Sequence, residues 1–463
     1  MIRLQGVKYF QNMSLRSWFS ESPTIKLATI CALTLLLLIP SAFVMQLIRE
    51  RSRLQEDAVN EISSKWGSSQ SVVGPIVSVP YRVRSTDNNN NNVTTTLEYV
   101  HFLPETLDIK GNIKPEIRHR GIYNAVVYNA DLAFSGTIKR PDINLPNVKN
   151  EDILWEGASV YVGITDLKGV KNTLKIKMNG KELEAMPGLD TRDVCSTGLG
   201  AKIDLKADST EVFNFSFALS VNGTESLSFA PIGKETKTNL QSTWTKPSFT
   251  GAHLPETKAD VSSSGFNANW NVLYINRSFP QVWVGSSSDI YSSNFGVTLL
   301  DNINSYDKTT RSAKYAIMFL ALTFLAFFLT EVLSKTKIHI IQYVLVGFAL
   351  STFYLLLLSL SEQIGFNMAY LFASIAVIMQ ITFYASTFVK HRKNTVAVFG
   401  VLAALYGFLF TTLQLEDYAL LIGSIALFVI LSVTMYLSRK VNWSDIQFSN
   451  HKAAQNTPPN TEQ

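Results

Sequence analysis

Glu331 closes the stretch KYAIMFLALTFLAFFLTEVLSK, residues 314–335, which is apolar for most of its length. A charge in hydrocarbon is costly, so such a carboxylate is either part of a proton or ion relay or a helix end reaching for water. Glu331 precedes Lys335 by four residues, the favourable order for a helical ion pair, and both side chains can reach the headgroup region. An interfacial carboxylate is therefore the expectation, with a relay as the alternative. Glu362, at the outer end of the next apolar window, is also interfacial, and no other Asp, Glu, Lys or Arg falls inside a window. That absence argues against an ion pump or a proton-coupled carrier.

Elsewhere, groups that could do chemistry are scattered. The long polar segment holds three histidines, His101, His119 and His253. His119 lies between Arg118 and Arg120, a setting that repels a cation, and the other two stand alone near prolines. Ser196 follows Cys195 and precedes Gly198-Leu-Gly200, which is neither a nucleophile elbow nor a phosphate loop. Catalytic, cofactor-binding and metal sites are accordingly expected to be absent. Aromatic residues are a better lead: Trp244, Trp270 and Trp283, with Phe249, Phe266 and Phe279, cluster late in the segment. They read as core, with a patch gripping lipid or glycan as the alternative.

The elements that must position these groups follow from composition. The chain has 463 residues, 46% hydrophobic and 17% charged, too apolar on average for a soluble domain yet too polar to lie wholly in lipid. A helix rises ~1.5 Å per residue across a hydrocarbon layer about 30 Å thick, so ~20 apolar residues are needed to cross. Six windows qualify: 27–48, 315–333, 340–360, 369–389, 396–413 and 418–437. The first is too long for a cleavable signal sequence and reads as a signal anchor, despite Pro40.

Loop charges set the direction. Lys335 and Lys337 follow the second window, Lys390, Arg392 and Lys393 the fourth, and Arg439 and Lys440 the sixth. The connections after the third and fifth carry no Lys or Arg. This alternation predicts cytoplasmic tails at 1–26 and 438–463, the latter partly disordered, and a segment 49–311 on the outer side. The net charge of +5 belongs to these flanks, and nucleic acid is not an expected partner. Cys31 and Cys195 sit in settings too different to pair.

Within 49–311, Leu54, Ala58, Ile62 and Trp66 recur at four-residue spacing, so a helix continues out of the first span. Period-two patterning then takes over, clearest where Phe213, Phe215, Phe217, Leu219 and Val221 share a face. Further strands are expected at 94–103, 121–138, 158–165, 239–244 and 265–274. Asn179-Gly180 fits a two-residue hairpin that sets Ile176 opposite Leu183. At Asn222-Gly223 a three-residue loop would be needed to pair Leu219 with Leu227 and Phe217 with Phe229. Asn88 to Asn92 are expected to form a loop. The fold class is a polytopic α-helical membrane protein of about six spans, with a large antiparallel, sandwich-like β domain inserted between spans one and two.

Particular stretches also resemble a known family. VVGPIVSVPY (72–81), RGIYNAVVYNADL (120–132), SGFNANW (264–270), KYAIMFLALTFLAFFLTE (314–331) and IQYVLVGFALSTFYLLLLSLSEQIGF (341–366) resemble, in the same order, the CreD family of bacterial inner-membrane proteins. The resemblance implies a Gram-negative inner-membrane protein linked to envelope integrity, tolerance of envelope-damaging agents and an envelope-stress two-component system. It implies no reaction, cofactor or site residue. Together with the residues, it gives a non-enzymatic membrane protein whose periplasmic domain binds or braces an envelope component. Membrane lipid and envelope or inner-membrane proteins are the expected partners. A transporter or lipid-handling protein and a periplasmic hydrolase are the alternatives.

Overall fold

A computed structural model describes residues 23–86, 93–140, 148–203, 205, 212–256, 259–299, 305–334, 338–389, 392–415 and 418–439. The asparagine run, Lys335 and most of both tails, residues 1–22 and 440–463, lie outside these residues. The chain forms two units, one of residues up to Arg53 and from Ile303 onward, the other Leu54–Asn302.

The first unit is helical, and among the described residues six helices, the first of which runs on to Trp66, are long and apolar enough to cross a membrane. Helix α1, Pro23–Leu36, breaks at Leu37, and α2, Leu38–Trp66, resumes at once. Pro40 lacks the N–H that would bond to Leu36, which explains the break at that point. Next come α3 (Ser305–Lys314), α4 (Ala316–Ser334), α5 (Ile340–Ile364), α6 (Phe366–Ser386), α7 (Arg392–Gln414) and α8 (Ala419–Ser438). Helix α3 was not expected: it is amphipathic and polar, too short and charged to register as a span. The eight-residue connection expected after the third span shrinks to Gly365, whose φ of 76° turns the chain directly from α5 into α6.

Small residues let these helices approach. A Cβ on Gly347 would meet the side chain of Leu37 at 2.2 Å, so glycine there admits the first span. Ala369 and Ala373 are likewise buried on α6, whereas Gly407, equally suggestive by spacing, faces open space. Ser351 bonds the carbonyl of Gly347 on its own helix at 3.0 Å. Bonds that do cross between helices include those from Tyr370 to the carbonyl of Tyr406 and from Gln414 to Asn367, at 2.7 and 2.8 Å.

The second unit is built on two sheets. One is ordered Pro247–Gly251, Phe295–Leu299, Ser226–Phe229, Gln70–Thr86, Ser159–Ile164, Gly198–Lys202 and Met186–Pro187, with Val93–Phe102 also on Gln70–Thr86 and Val282–Val284 beyond it. The other runs Asp260–Ser262, Gly265–Leu273, Glu235–Ser242, Thr106–Arg120, Tyr123–Lys139, Val212–Thr224, Lys175–Met178 and Lys181–Glu184. Pairing is mostly antiparallel, with parallel contacts of Gln70–Thr86 to Ser226–Phe229 and of Glu235–Ser242 to Thr106–Arg120. Side chains of both sheets join one hydrophobic core, which makes this a single β domain. Phe134 stacks on Phe217 across a rung at 4.5 Å, a contact worth ~0.5–1.5 kcal/mol beyond its buried area.

The two Asn-Gly pairs part company. At Asn179-Gly180 the hairpin forms in the expected register, Ile176 opposite Leu183, with positive φ at both turn residues. Asn222-Gly223 is not a turn. The strand runs through it to Thr224, with Gly223 opposite Tyr128, and Leu219 and Phe217 pair with Leu132 and Phe134. A Cβ on Gly223 would lie 2.2 Å from the Tyr128 hydroxyl, so this glycine serves close approach. The chain turns at Glu225, φ 64°, and enters the other sheet, where Leu227 and Phe229 are buried.

Candidate functional site

In the helical unit, Glu331 occupies the last turn of α4 and is only 8% exposed. Its Oε1 accepts from Lys26 Nζ and from the backbone N–H of Ile338, the latter at 3.1 Å, and its Oε2 accepts from the Tyr343 hydroxyl at 3.0 Å. Lys26 also donates to the Ile338 carbonyl at 2.8 Å. The carboxylate thus ties the start of α1 to both arms of the α4–α5 hairpin. Phe324 and Phe327 flank Tyr343, with ring centroids 5.6 and 6.3 Å away. With three donors on one carboxylate, the arrangement is that of a tie between helices.

Glu362, on the last turn of α5, accepts from the hydroxyl of Tyr306 on α3 at 2.8 Å, and Arg51 lies 3.9 Å away. Its role is again a tie between helices.

In the β domain, His101 does not stand alone. Antiparallel pairing sets Ser78 opposite His101, and Ser78 Oγ lies 2.7 Å from His101 Nδ1. Asp193 Oδ2 lies 3.2 Å from Nε2, completing a Ser-His-Asp set that linear spacing conceals. Two features separate it from a hydrolytic triad. The serine faces the nitrogen next to Cβ, whereas in a working triad the carboxylate holds that nitrogen and the serine meets the other. In addition, Ser78 and His101 are 0% exposed, so no substrate reaches the hydroxyl. Burial holds His101 below its ordinary pKa, against the opposing pull of Asp193.

A pH effect follows. As pH falls through about 6.5 the unfolded chain binds a proton that the folded chain refuses, so domain stability falls. His101→Asn is expected to flatten the dependence of thermal midpoint on pH between about 6.5 and 5, measured on the full chain in detergent. An unchanged slope in the variant would assign the effect to other groups.

The tryptophans are placed by the sheets. Trp270 and Trp283 are 2% and 3% exposed, with Trp283 tilted against His101 at 5.5 Å. Trp244 is half-buried against the same core, as is Phe249, while Phe266 and Phe279 are buried. Among the described residues no group of three or more His, Cys, Asp and Glu side chains is placed to hold a metal. Cys31 and Cys195 are both free thiols.

The family model described as "Inner membrane protein CreD" matches residues 22–444. The chain belongs to the CreD family. It is 32% identical over 442 residues to the inner membrane protein CreD of Escherichia coli (strain K12), covering 93% of this chain and 95% of that relative. With six apolar helices of spanning length, family membership makes this a multi-pass inner-membrane protein.

Lys26, Tyr343, Tyr306, Ser78 and Asp193 are the residues that sequence reasoning did not bring to these sites. Lys26 is separated from Glu331 by 305 positions, so no local periodicity links them. The one available signal was a lysine at the mouth of one span and a carboxylate at the end of another.

Proposed function

We propose that this protein is a non-enzymatic support of the cell envelope, with its β domain in the periplasm, both termini in the cytoplasm, and the domain binding or bracing an envelope component. The sealed Ser78–His101 pair carries this reading: the set of side chains that resembles a catalytic triad among the described residues is closed to substrate and offers its nitrogens in the opposite order. The loop-charge alternation supports the orientation. Family membership supports an envelope role and the connection to envelope stress.

Ser78→Ala is expected to leave in-cell tolerance of envelope-damaging agents unchanged at equal protein level. A triad-run activity would instead fall by several orders of magnitude, ~10⁶-fold for a lost nucleophile in the best-studied case. Photo-crosslinking groups at Leu254 and Ile275, both exposed, test the binding role directly. Capture of a lipid, glycan or envelope protein is expected. No capture from either position during envelope stress, with the protein at its usual level, would count against the reading.

A further inference from the structure

Segment 188–197 links the strands Met186–Pro187 and Gly198–Lys202 and lies as a strap across the nine-stranded sheet. Under it, Lys202, Ser159, Ser78 and His101 pair rung to rung on four neighbouring strands, so their side chains share one face. The strap pins both ends of this row. Asp190 holds Lys202 at 2.7 Å together with the Ser159 hydroxyl, and Asp193 Oδ2 lies 3.2 Å from His101 Nε2. Farther along, Cys195 fills the space over Gly163, where a Cβ would meet its sulfur at 2.4 Å. The thiol meets the Tyr291 hydroxyl, and Tyr161 lies on Ser78 beside both.

Besides the burial of Val194 and Cys195, these side-chain ties are what holds the strap. Among the described residues no backbone-to-backbone hydrogen bond reaches 189–196. A cavity of about 310 Å³ is lined by Leu189 and Asp190 of the strap and by Ala201 and Lys202 of the sheet, so packing at this end is loose. A segment with few backbone bonds and loose packing opens at lower cost than the sheet beneath it.

Acid acts on one of the ties. Burial keeps protons on Tyr161 and Tyr291 and pushes the Cys195 thiol up to about 11, so between about pH 5 and 8 the group here that changes charge is His101. Under the closed strap His101 resists protonation, because burial outweighs the pull of Asp193, the charged group that faces it. With the strap lifted and water at its ring, it takes a proton at its ordinary value of about 6.5. The open form therefore binds more protons, and falling pH favours it.

We propose that segment 188–197 is an acid-released latch, which lifts from the sheet as a unit and uncovers the row ending in His101 while both sheets stay folded. Opening does not make the site a hydrolase. The uncovered His101 carries a proton and cannot take one from Ser78.

Cys195 is a built-in reporter of the latch, read by its reaction with a pyridyl disulfide in the full-length Cys31→Ser chain in lipid nanodiscs. Protection is the rate in the denaturant-unfolded chain divided by the rate in the folded chain at the same pH, which cancels the thiol's own pH dependence. It is expected to fall about three- to tenfold from pH 7.5 to 5.5. His101→Asn should abolish that fall. Asp190→Asn, which loosens the other end, should lower protection about two- to fivefold at both pH values and keep the fall. Amide-exchange protection of the strands Thr106–Arg120 and Val212–Thr224 should hold over the same range. Cys195 protection independent of pH, a fall that persists in His101→Asn, or strand amides opening in step with Cys195 would each overturn the latch. An Asp190→Asn chain as well protected as its parent would do the same, and this arm stands even where His101→Asn does not accumulate.

Discussion

Lys26→Met alone is expected to destabilise the helical unit by about 3–5 kcal/mol, because it strands a buried carboxylate. Glu331 would keep the Ile338 N–H and the Tyr343 hydroxyl but lose its only cationic partner among the described residues. Glu331→Gln should cost less. The amide oxygen still accepts from the Ile338 N–H, its NH2 faces the Tyr343 hydroxyl as a donor, and Lys26 retains the Ile338 carbonyl. The combined Lys26→Met, Glu331→Gln chain has no stranded charge, so it should recover most of what the lysine substitution loses. A coupling of about 2 kcal/mol or more between the two positions is the expected signature, read from denaturant unfolding in detergent as a double-mutant cycle. The same variants separate a brace from a conduit. If the carboxylate only ties helices together, the charge-free pair supports envelope tolerance wherever it accumulates normally. A folded, normally abundant double variant without function would instead give Glu331 a role in transport.

The spans and most strands were legible because one physical signal, the solvent each face meets, is written residue by residue. Phe215, Phe217, Leu219 and Val221 alternate with polar neighbours because the strand has one wet face, and all four are buried. That signal disappears where both faces are dry. Val72 to Tyr81 is buried at every position, so the central strand carries no alternation, and Gly74, Pro75 and Pro80 further disguise it. The Asn222-Gly223 misreading has a related origin. Local turn chemistry pointed to a hairpin, and the side-chain faces disagreed by one residue; the fold settles the conflict by sending the next strand to a different sheet. The polar sites were the least legible. Ser78, His101 and Asp193 meet through strand pairing and a long connection, and Lys26 meets Glu331 through helix packing, so neither set has a spacing to find.

Trp270→Ala is expected to cost the β domain about 3–5 kcal/mol, the cost of emptying a fully packed aromatic site. Trp270 sits on the strand Gly265–Leu273 of one sheet and meets Phe295 of the other at 5.5 Å, with Phe249 edge-on at 5.7 Å. Its indole N–H donates to the carbonyl of His253 at 3.2 Å, so truncation removes a bond as well as a bridge between the sheets. Trp244→Ala, at a half-buried site on the rim of the same core, should cost roughly half as much or less. This order runs opposite to the one expected of a lipid- or glycan-gripping patch, where the more exposed ring does the gripping. Limited proteolysis and thermal midpoints of the two variants in the full-length chain distinguish the cases. A Trp270→Ala protein that melts normally yet no longer supports envelope tolerance would move this ring from core to binding surface. Early melting, with function lost only in proportion to protein lost, leaves recognition to the groups that reach solvent.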